Sequence, residues 1–292
     1  MIVLREPSPE EGTVEAWIAW GEETLSRLPE DGRREARSLM TVLKKDPLVP
    51  WLRKTDLLKG DEASRYKEWV LRRAKREPFH RITGVVPFWG RDFYIGPGVL
   101  VPRPETETLV EAVLERMSVC PPRTVLDLGT GSGILILTLL AEFPEAKGVA
   151  VDILPEALYW TTVNARSLGC EGRISLVRGD WMSMIATAGR FYLVVLNPAY
   201  VPTETIPALE EEVCSFDPWE ALDGGPDGLS IYRRLIDILP AHLHPGGWVA
   251  LEIGGDQGSF FRGYDASAIG FSNPQIVRDV GGLDRVVLFR KD

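Results

Sequence analysis

Thr124-Val125-Leu126-Asp127-Leu128, followed without a break by Gly129-Thr130-Gly131-Ser132-Gly133 and then by residues 134–142, decides how this chain folds. The first five residues read as a strand, the glycine run as a tight turn, and Ile134 to Glu142 as a helix. A glycine turn between strand and helix lies at the carboxyl edge of a parallel sheet, and residues without a Cβ let a ligand come close to the backbone. The next strand, Gly148 to Val151, ends in Asp152, about twenty residues past the turn, where a carboxylate accepts from ribose hydroxyls. These features predict a nucleoside site on an α/β fold. In the dinucleotide-binding pattern a third glycine falls at position 134, which is Ile134 here, so a pyrophosphate is disfavoured. Glycine at every second position suggests a ligand without phosphates. Taken by itself, the glycine run also fits a turn that is merely tight.

Further along, Pro155 to Leu168 reads as a helix and Arg173 to Val177 as a strand. Gly179-Asp180-Trp181 is then a loop able to stack on or hydrogen-bond an adenine, with plain core packing the other reading of Trp181. Phe191 to Leu196 is the fourth strand, and it runs into Asn197-Pro198-Ala199-Tyr200. Proline blocks helix and restricts the residue before it, so the Asn197 amide and the Pro198 carbonyl are offered as hydrogen-bond acceptors for an NH2 group. Tyr200 adds an aromatic face for a planar substrate or a cation. A simple turn after a strand is the alternative. If both loops open on one sheet edge, two half-sites meet there.

The 292 residues suffice for one large domain and a smaller one, and 45% hydrophobic with 26% charged residues is ordinary globular composition. Cys120, Cys170 and Cys214 fit neither a disulfide framework nor a zinc spacing, so a reducing cytoplasmic compartment is expected. The start lacks an apolar leader core, and no run approaches a membrane span. Net charge is −9, yet residues 1–80 hold 16 Lys+Arg against 15 Asp+Glu, so the acidity lies beyond them. Residues 191–232 contain no Lys, Arg or His but carry Glu204, Glu210, Glu211, Glu212, Asp217, Glu220, Asp223 and Asp227. Such a stretch repels phosphate backbones.

Apolar residues at helical spacing mark Glu11 to Leu28, Arg33 to Lys45 and Arg65 to Lys75, a small N-terminal helical bundle. Its basic residues read as solvated helix faces or as a docking surface for an acidic partner. Val85-Val86 and Phe93-Tyr94-Ile95 around Gly90-Arg91-Asp92 read as a hairpin. Pro102-Arg103-Pro104-Glu105-Thr106-Glu107 is either the start of an ordinary helix or a stiff strap over a ligand. After the Gly224-Gly225-Pro226-Asp227-Gly228 turn come a helix from Leu229 to Leu239 and a strand from Trp248 to Ile253. Strands Gln275 to Val280 and Arg285 to Phe289 close the chain. His242 and His244 read as inert, and no metal cluster is expected.

Arg76-Glu77-Pro78, the Pro102–Glu107 strap, Asp127 to Gly133, Asp152, Asn197 to Tyr200, Ala221 to Leu229 and Glu252-Ile253-Gly254 together resemble the S-adenosylmethionine-dependent methyltransferases. The resemblance is specifically to the HemK-type peptide chain release factor glutamine N5-methyltransferases, over nearly the whole chain. It implies an α/β, Rossmann-like seven-stranded methyltransferase sheet with helices on both faces, a small N-terminal helical bundle and a connecting β-hairpin. The implied domains are a substrate-docking domain over residues 1–80, a linker hairpin over 81–100 and a methyltransferase domain over 101–292. Residues Gly129, Thr130, Gly131, Ser132 and Gly133 are implied to hold the methionyl part of S-adenosyl-L-methionine, Asp152 its ribose and Trp181 its adenine, with Asn197 also at the cofactor.

The implied acceptor is the glutamine of the Gly-Gly-Gln loop of class 1 release factors, held by Asn197, Pro198, Ala199 and Tyr200, with S-adenosyl-L-homocysteine as product. Asn197, Pro198 and Tyr200 are the expected catalytic residues. No metal, nucleic acid or membrane partner is expected, and a monomer is. Departures are Ala199 where the family has a second proline, Tyr192 where Asp is common, and Asp217-Pro218 where Glu-Pro is common. Loss of the second proline removes some backbone rigidity. Alternatives are a ribosomal-protein glutamine methyltransferase, an adenine-N6 methyltransferase acting on a flipped base, and a non-catalytic binding homologue.

Overall fold

Trp17, Ile18, Ala36, Leu39, Met40, Ala63, Tyr66 and Val70 recur at helical spacing, and they are buried together in one core. The computed structural model describes residues 6–8, 12–28, 31–181 and 191–292. Met1 to Arg5 and Pro9 to Glu11, part of the start read above for a leader and for the first helix, lie outside the described residues. The helices of this core are α1 (Val14–Thr24), α2 (Gly32–Lys44), α3 (Val49–Leu52), α4 (Gly60–Ala74) and α5 (Phe79–Thr83). The Thr13 hydroxyl caps α1 by accepting from the Ala16 N–H at 3.2 Å, and Asp31 caps α2 through the Arg33 N–H at 3.1 Å. Helix α4 starts five residues before the expected Arg65. Its opening turn is polar and gives no apolar signal, but Asp61 and Glu62 suit a helix N-terminus.

Two compact units result: Met1–Val85 with Glu211–Phe216, and Val86–Glu210 with Asp217–Asp292. The short helix Glu211–Phe216 belongs with the first unit although it is distant from it in sequence. Its Glu212 accepts from Arg73 Nη1 at 2.9 Å and from Arg76, while Arg73 also donates to Glu35 at 2.6 Å.

A hairpin of β1 (Val85–Phe88) and β2 (Arg91–Tyr94) and the helix α6 (Glu107–Met117) precede the main sheet. The sheet contains β3 (Thr124–Leu128), β4 (Lys147–Asp152), β5 (Ile174–Arg178), β6 (Phe191–Leu196), β7 (Leu243–Glu252), β8 (Gln275–Arg278) and β9 (Asp284–Arg290). Its order is β5-β4-β3-β6-β7-β9-β8, parallel from β5 through β7, with β9 antiparallel to both neighbours. Alternation along the strands feeds two cores. Val125, Leu193, Val195 and Ala250 pack on one face with α6, α7 (Ile134–Glu142) and α8 (Pro155–Ser167). Leu126, Val194, Leu196 and Leu251 pack on the other with the helices Ser230–Leu235 and Gly258–Arg262. Helix α7 is buried at every residue from Ile134 to Leu140, as a sequence that is apolar but for Thr138 demands. This is the expected Rossmann-like, seven-stranded sheet with helices on both faces.

Strand β7 begins five residues before the expected Trp248. Pro245-Gly246-Gly247 forms an irregularity inside the strand, where the register against β6 shifts between Phe191 and Leu193 and Gly246 takes φ +76°. The helix expected to run to Leu239 stops at Leu235, and Pro240 sits in a separate turn of 3-10 helix, Leu239–His242. Tyr192 stacks on His244 with ring centroids 4.3 Å apart. No helix among the described residues is long and apolar enough to cross a membrane.

Candidate active site

The strand order reverses between β3 and β6, since the chain moves from β3 outward through β4 and β5 and then returns to β6. A crevice opens at such a point, outside the carboxyl ends of the strands. Leu128 and Leu196 are paired in register, so the Gly129 turn and the Asn197 segment leave neighbouring strand ends. They line one hollow of about 830 Å³ including its open mouth.

The glycine turn is tied on both sides. Gly129 and Thr130 donate their N–H groups to the Val151 carbonyl at 2.8 and 3.1 Å. The Asp152 carboxylate accepts from the Gly131 N–H at 2.9 Å and from the Leu154 N–H at 3.0 Å, and Thr161 Oγ1 donates to the Gly131 carbonyl at 3.0 Å. Gly131 has φ +56°, and a Cβ built on it meets nothing within 4 Å. A Cβ on Gly129 would come within 3.0 Å of the Trp181 ring. The bare backbone at 129 therefore lies against the indole, and that at 131 faces open space.

Gly129, Thr130, Gly131, Ser132, Asp152, Trp181, Asn197, Pro198 and Ala199 line the hollow, as anticipated. Two anticipated residues stand off its wall. Gly133, at φ +79°, starts α7 where a Cβ would meet Thr161 Cγ2 at 2.9 Å, so its place is helix packing. Tyr200 turns into the second core, and its hydroxyl donates to Glu252 Oε1 at 3.5 Å. Trp181 packs on the second core and also lines the hollow.

Gly98, Val99, Leu100, Pro102 and Thr106 also line the hollow, which favours the strap reading of this segment. Asp217 pins the strap: its Oδ1 accepts from the Val101 N–H and its Oδ2 from Arg103 Nη2, both at 3.3 Å. Thr106 Oγ1 accepts from Asn197 Nδ2, also at 3.3 Å. Pro218, Glu220 and Ala221 also line the hollow although none was expected there as a site residue. The only signal for Thr106 is its place in the strap.

The lining contains Asp152 and Glu220 and no Lys, Arg or His among the described residues. Behind the wall, burial pushes the Asp127 carboxyl up to about 7 against the opposing hydrogen bond from Thr130, with the nearby Asp152 charge adding to the rise. Burial also raises Glu252 to about 7, opposed by the Thr106 hydroxyl and by Arg285, and it raises Asp152. An acidic, base-free wall favours a cation and disfavours phosphate.

A family profile described as the PrmC N-terminal domain matches residues 16–84, and one described as a methyltransferase domain matches residues 125–216. The chain is similar to the release factor glutamine methyltransferase of Rhodospirillum rubrum, with 43% identity over 90% of this chain and 80% of that protein. Identity is 40% to the Cereibacter sphaeroides protein of the same name, over 89% and 92% of the two chains. It is 36% to that of Geobacter sulfurreducens, over 96% and 97%. Among solved structures, the T. thermophilus 16S rRNA N2 G1207 methyltransferase in complex with AdoMet and guanosine matches with a TM-score of 0.51 and 20% identity. That match covers 71% of this chain and 49% of the other and speaks to the fold.

Proposed function

Because this chain belongs to the family of release factor glutamine methyltransferases, we propose that it transfers a methyl group from S-adenosylmethionine to the side-chain nitrogen N5 of the glutamine in the Gly-Gly-Gln loop of class 1 peptide chain release factors. The observation that carries this reading is the shared hollow: the glycine turn and Asn197-Pro198 leave paired strands and meet on one wall.

The residues present suit the cofactor. Gly131 leaves open space where any side chain would intrude, the Trp181 ring lies against the Gly129 backbone, and the wall is acidic, with no Lys, Arg or His among the described residues. Gly129 to Gly133 and Asp152 would hold its methionyl and ribose parts, with Trp181 at the adenine and Asn197 near the methyl group. When bound, it supplies a methyl group on a positively charged sulfur, a carbon already activated toward nucleophiles.

A glutamine amide nitrogen is a weak nucleophile because its lone pair is delocalised, so positioning is the main task of the site. Asn197 Oδ1 and the Pro198 carbonyl accept its two N–H groups. They set the direction of the lone pair and stabilise the positive charge that grows on nitrogen during transfer. Ala199 continues the wall, and Tyr200 acts from behind it through Glu252. No strong base is required, because the methylated nitrogen sheds its extra proton readily to water. Residues 1–80 serve as the docking domain for the release factor, residues 81–100 as the linking hairpin and residues 101–292 as the methyltransferase domain. A separate core in the first unit supports this division.

Incubation with labelled S-adenosylmethionine and three acceptors, a release factor, a ribosomal protein and duplex DNA, tests the reading. Label is expected on the Gly-Gly-Gln glutamine, located by mass spectrometry; label on the ribosomal protein or on adenine instead overturns it. Asn197→Ala is expected to lower turnover about a hundredfold while changing cofactor affinity less than about threefold. Equal losses in both contradict the role given to Asn197.

A further inference from the structure

Pro218, Glu220 and Ala221 line the hollow, yet Trp219 between them does not. The segment Trp219–Ala221 is a turn of 3-10 helix that follows Pro218, and three residues per turn bring Pro218 and Ala221 onto one face. Trp219 is thereby turned out of the wall, and it is 49% exposed. Its indole is nevertheless fixed, because Nε1 donates to Asp223 Oδ2 at 3.2 Å. Asp223 is itself held, since its Oδ1 accepts from Thr203 Oγ1 at 2.6 Å and from the Gly225 N–H at 2.9 Å. Backbone bonds tie this loop to the chain that leaves Asn197-Pro198. The Val201 N–H donates to the Leu222 carbonyl at 3.0 Å, and the Gly224 N–H to the Val201 carbonyl at 2.8 Å. The exposed ring therefore stands at the rim of the hollow, on the same scaffold as the acceptor site.

An indole in water that is held by a hydrogen bond is already ordered, so a partner that covers it gains apolar contact with little loss of side-chain freedom. Tryptophan is enriched among the residues that dominate protein–protein contacts. The reading above, on which this inference rests, says which partner passes. A glutamine side chain reaches only about 5 Å from its Cα to its amide nitrogen, so an amide at Asn197 and Pro198 holds the main chain of its protein at the mouth of the hollow. Residues next to the glutamine must cross the rim. We propose that the exposed face of Trp219 is a docking platform for the main chain beside the acceptor glutamine, contributing affinity for the protein substrate and none for the cofactor. The glycines of a Gly-Gly-Gln loop suit it, because a backbone without side chains lies flat on an aromatic face. Asp223 then has a task as well, which is to hold the ring in place before the acceptor arrives.

The test compares Trp219→Ala and Trp219→Phe with the unaltered protein, using labelled S-adenosylmethionine and release factor. Trp219→Ala is expected to raise KM for release factor about tenfold or more, with kcat at saturating release factor and affinity for S-adenosylhomocysteine each changed less than about threefold. Trp219→Phe, which keeps a smaller aromatic face, is expected to recover part of the loss. An unchanged KM in Trp219→Ala, or a loss of cofactor affinity in step with rate, overturns the platform. A benzophenone amino acid placed at position 219 locates the partner. Cross-links to the residues flanking the glutamine are expected; their absence, or cross-links confined to parts of release factor remote from that loop, overturns the assignment. The two failures are distinct. If the unaltered protein leaves release factor unlabelled, the reading above is wrong and the platform falls with it. If release factor is labelled at the glutamine and Trp219→Ala behaves as the unaltered protein does, only the platform is wrong.

Discussion

Gly131 and Gly133 look alike in the sequence, two residues apart with positive φ, yet they answer to different forces. A Cβ at 131 projects into open space at φ +56°, whereas one at 133 meets Thr161 Cγ2 at 2.9 Å. Gly131→Ala should weaken cofactor binding about tenfold, read by calorimetry, with a stability loss of about 1–2 kcal/mol from the left-handed backbone alone. Gly133→Ala should cost more stability, because strain and overpacking add. Asp127 supplies a pH effect. Burial raises its carboxyl from 3.8 to about 7, so the unfolded chain releases this proton first and the folded protein holds it longer. Stability contributed by the neutral form is therefore full below about pH 4 and is lost as pH rises toward 7. Asp127→Asn keeps an acceptor for Thr130, and its urea midpoint should gain on that of the unaltered protein more at pH 8 than at pH 5. At this scale the sequence named the glycine turn, Asp152, Trp181 and the Asn197–Ala199 segment of the wall, because glycine, Asn-Pro and a carboxylate at a strand end carry local chemical signatures. Thr106 and Glu252 carry none. Their meaning comes from lying beside Asn197, which separations of 91 residues for Thr106 and one strand register for Glu252 bring about.

Among the elements, the clearest departure from sequence order is the helix Glu211–Phe216. Its Glu212 is held by Arg73, whose side chain is 4% exposed, and by Arg76, while Arg73 keeps Glu35 as a second partner. Glu212→Ala should destabilise the first unit by about 3 kcal/mol, the lower end for breaking a buried ion pair, because Glu35 still partly compensates Arg73. Urea unfolding followed by tryptophan fluorescence, with Trp17 and Trp20 in that core, measures it. Strands and long helices were legible from their periodicity. Their ends were less so, as β7 illustrates: Pro-Gly-Gly reads locally as a turn, but pairing with β6 absorbs it as an irregularity within a strand. The strap reading was open in the sequence, since two prolines around an arginine stiffen a chain without saying what it crosses. Asp217 pins Val101 and Arg103 beside the hollow, while Pro104–Thr106 runs as a turn of 3-10 helix straight into α6, so the segment is also a helix start.

Over the whole molecule, one unit has its own core of helices, and the other has two cores on either side of the sheet, with the hollow wholly within it. A ligand stabilises the part that binds it. S-adenosylhomocysteine at a hundred times its Kd should therefore stabilise the sheet unit by about 2.7 kcal/mol. In scanning calorimetry the transition of the sheet unit should rise while that of the helical unit stays in place; a single transition moving as one would show that the units unfold together. The fold class and a ligand without phosphates were legible in the sequence alone, because periodicity, glycine and proline act over a few neighbouring residues, and the same local signals carry the acceptors proposed at Asn197-Pro198. Which glycine faces the hollow, which aromatic stands behind it, and which acid is buried beside Asn197 were decided only by the tertiary structure. Those are questions of strand register and packing, and they are settled by partners that the chain brings in from far along its length.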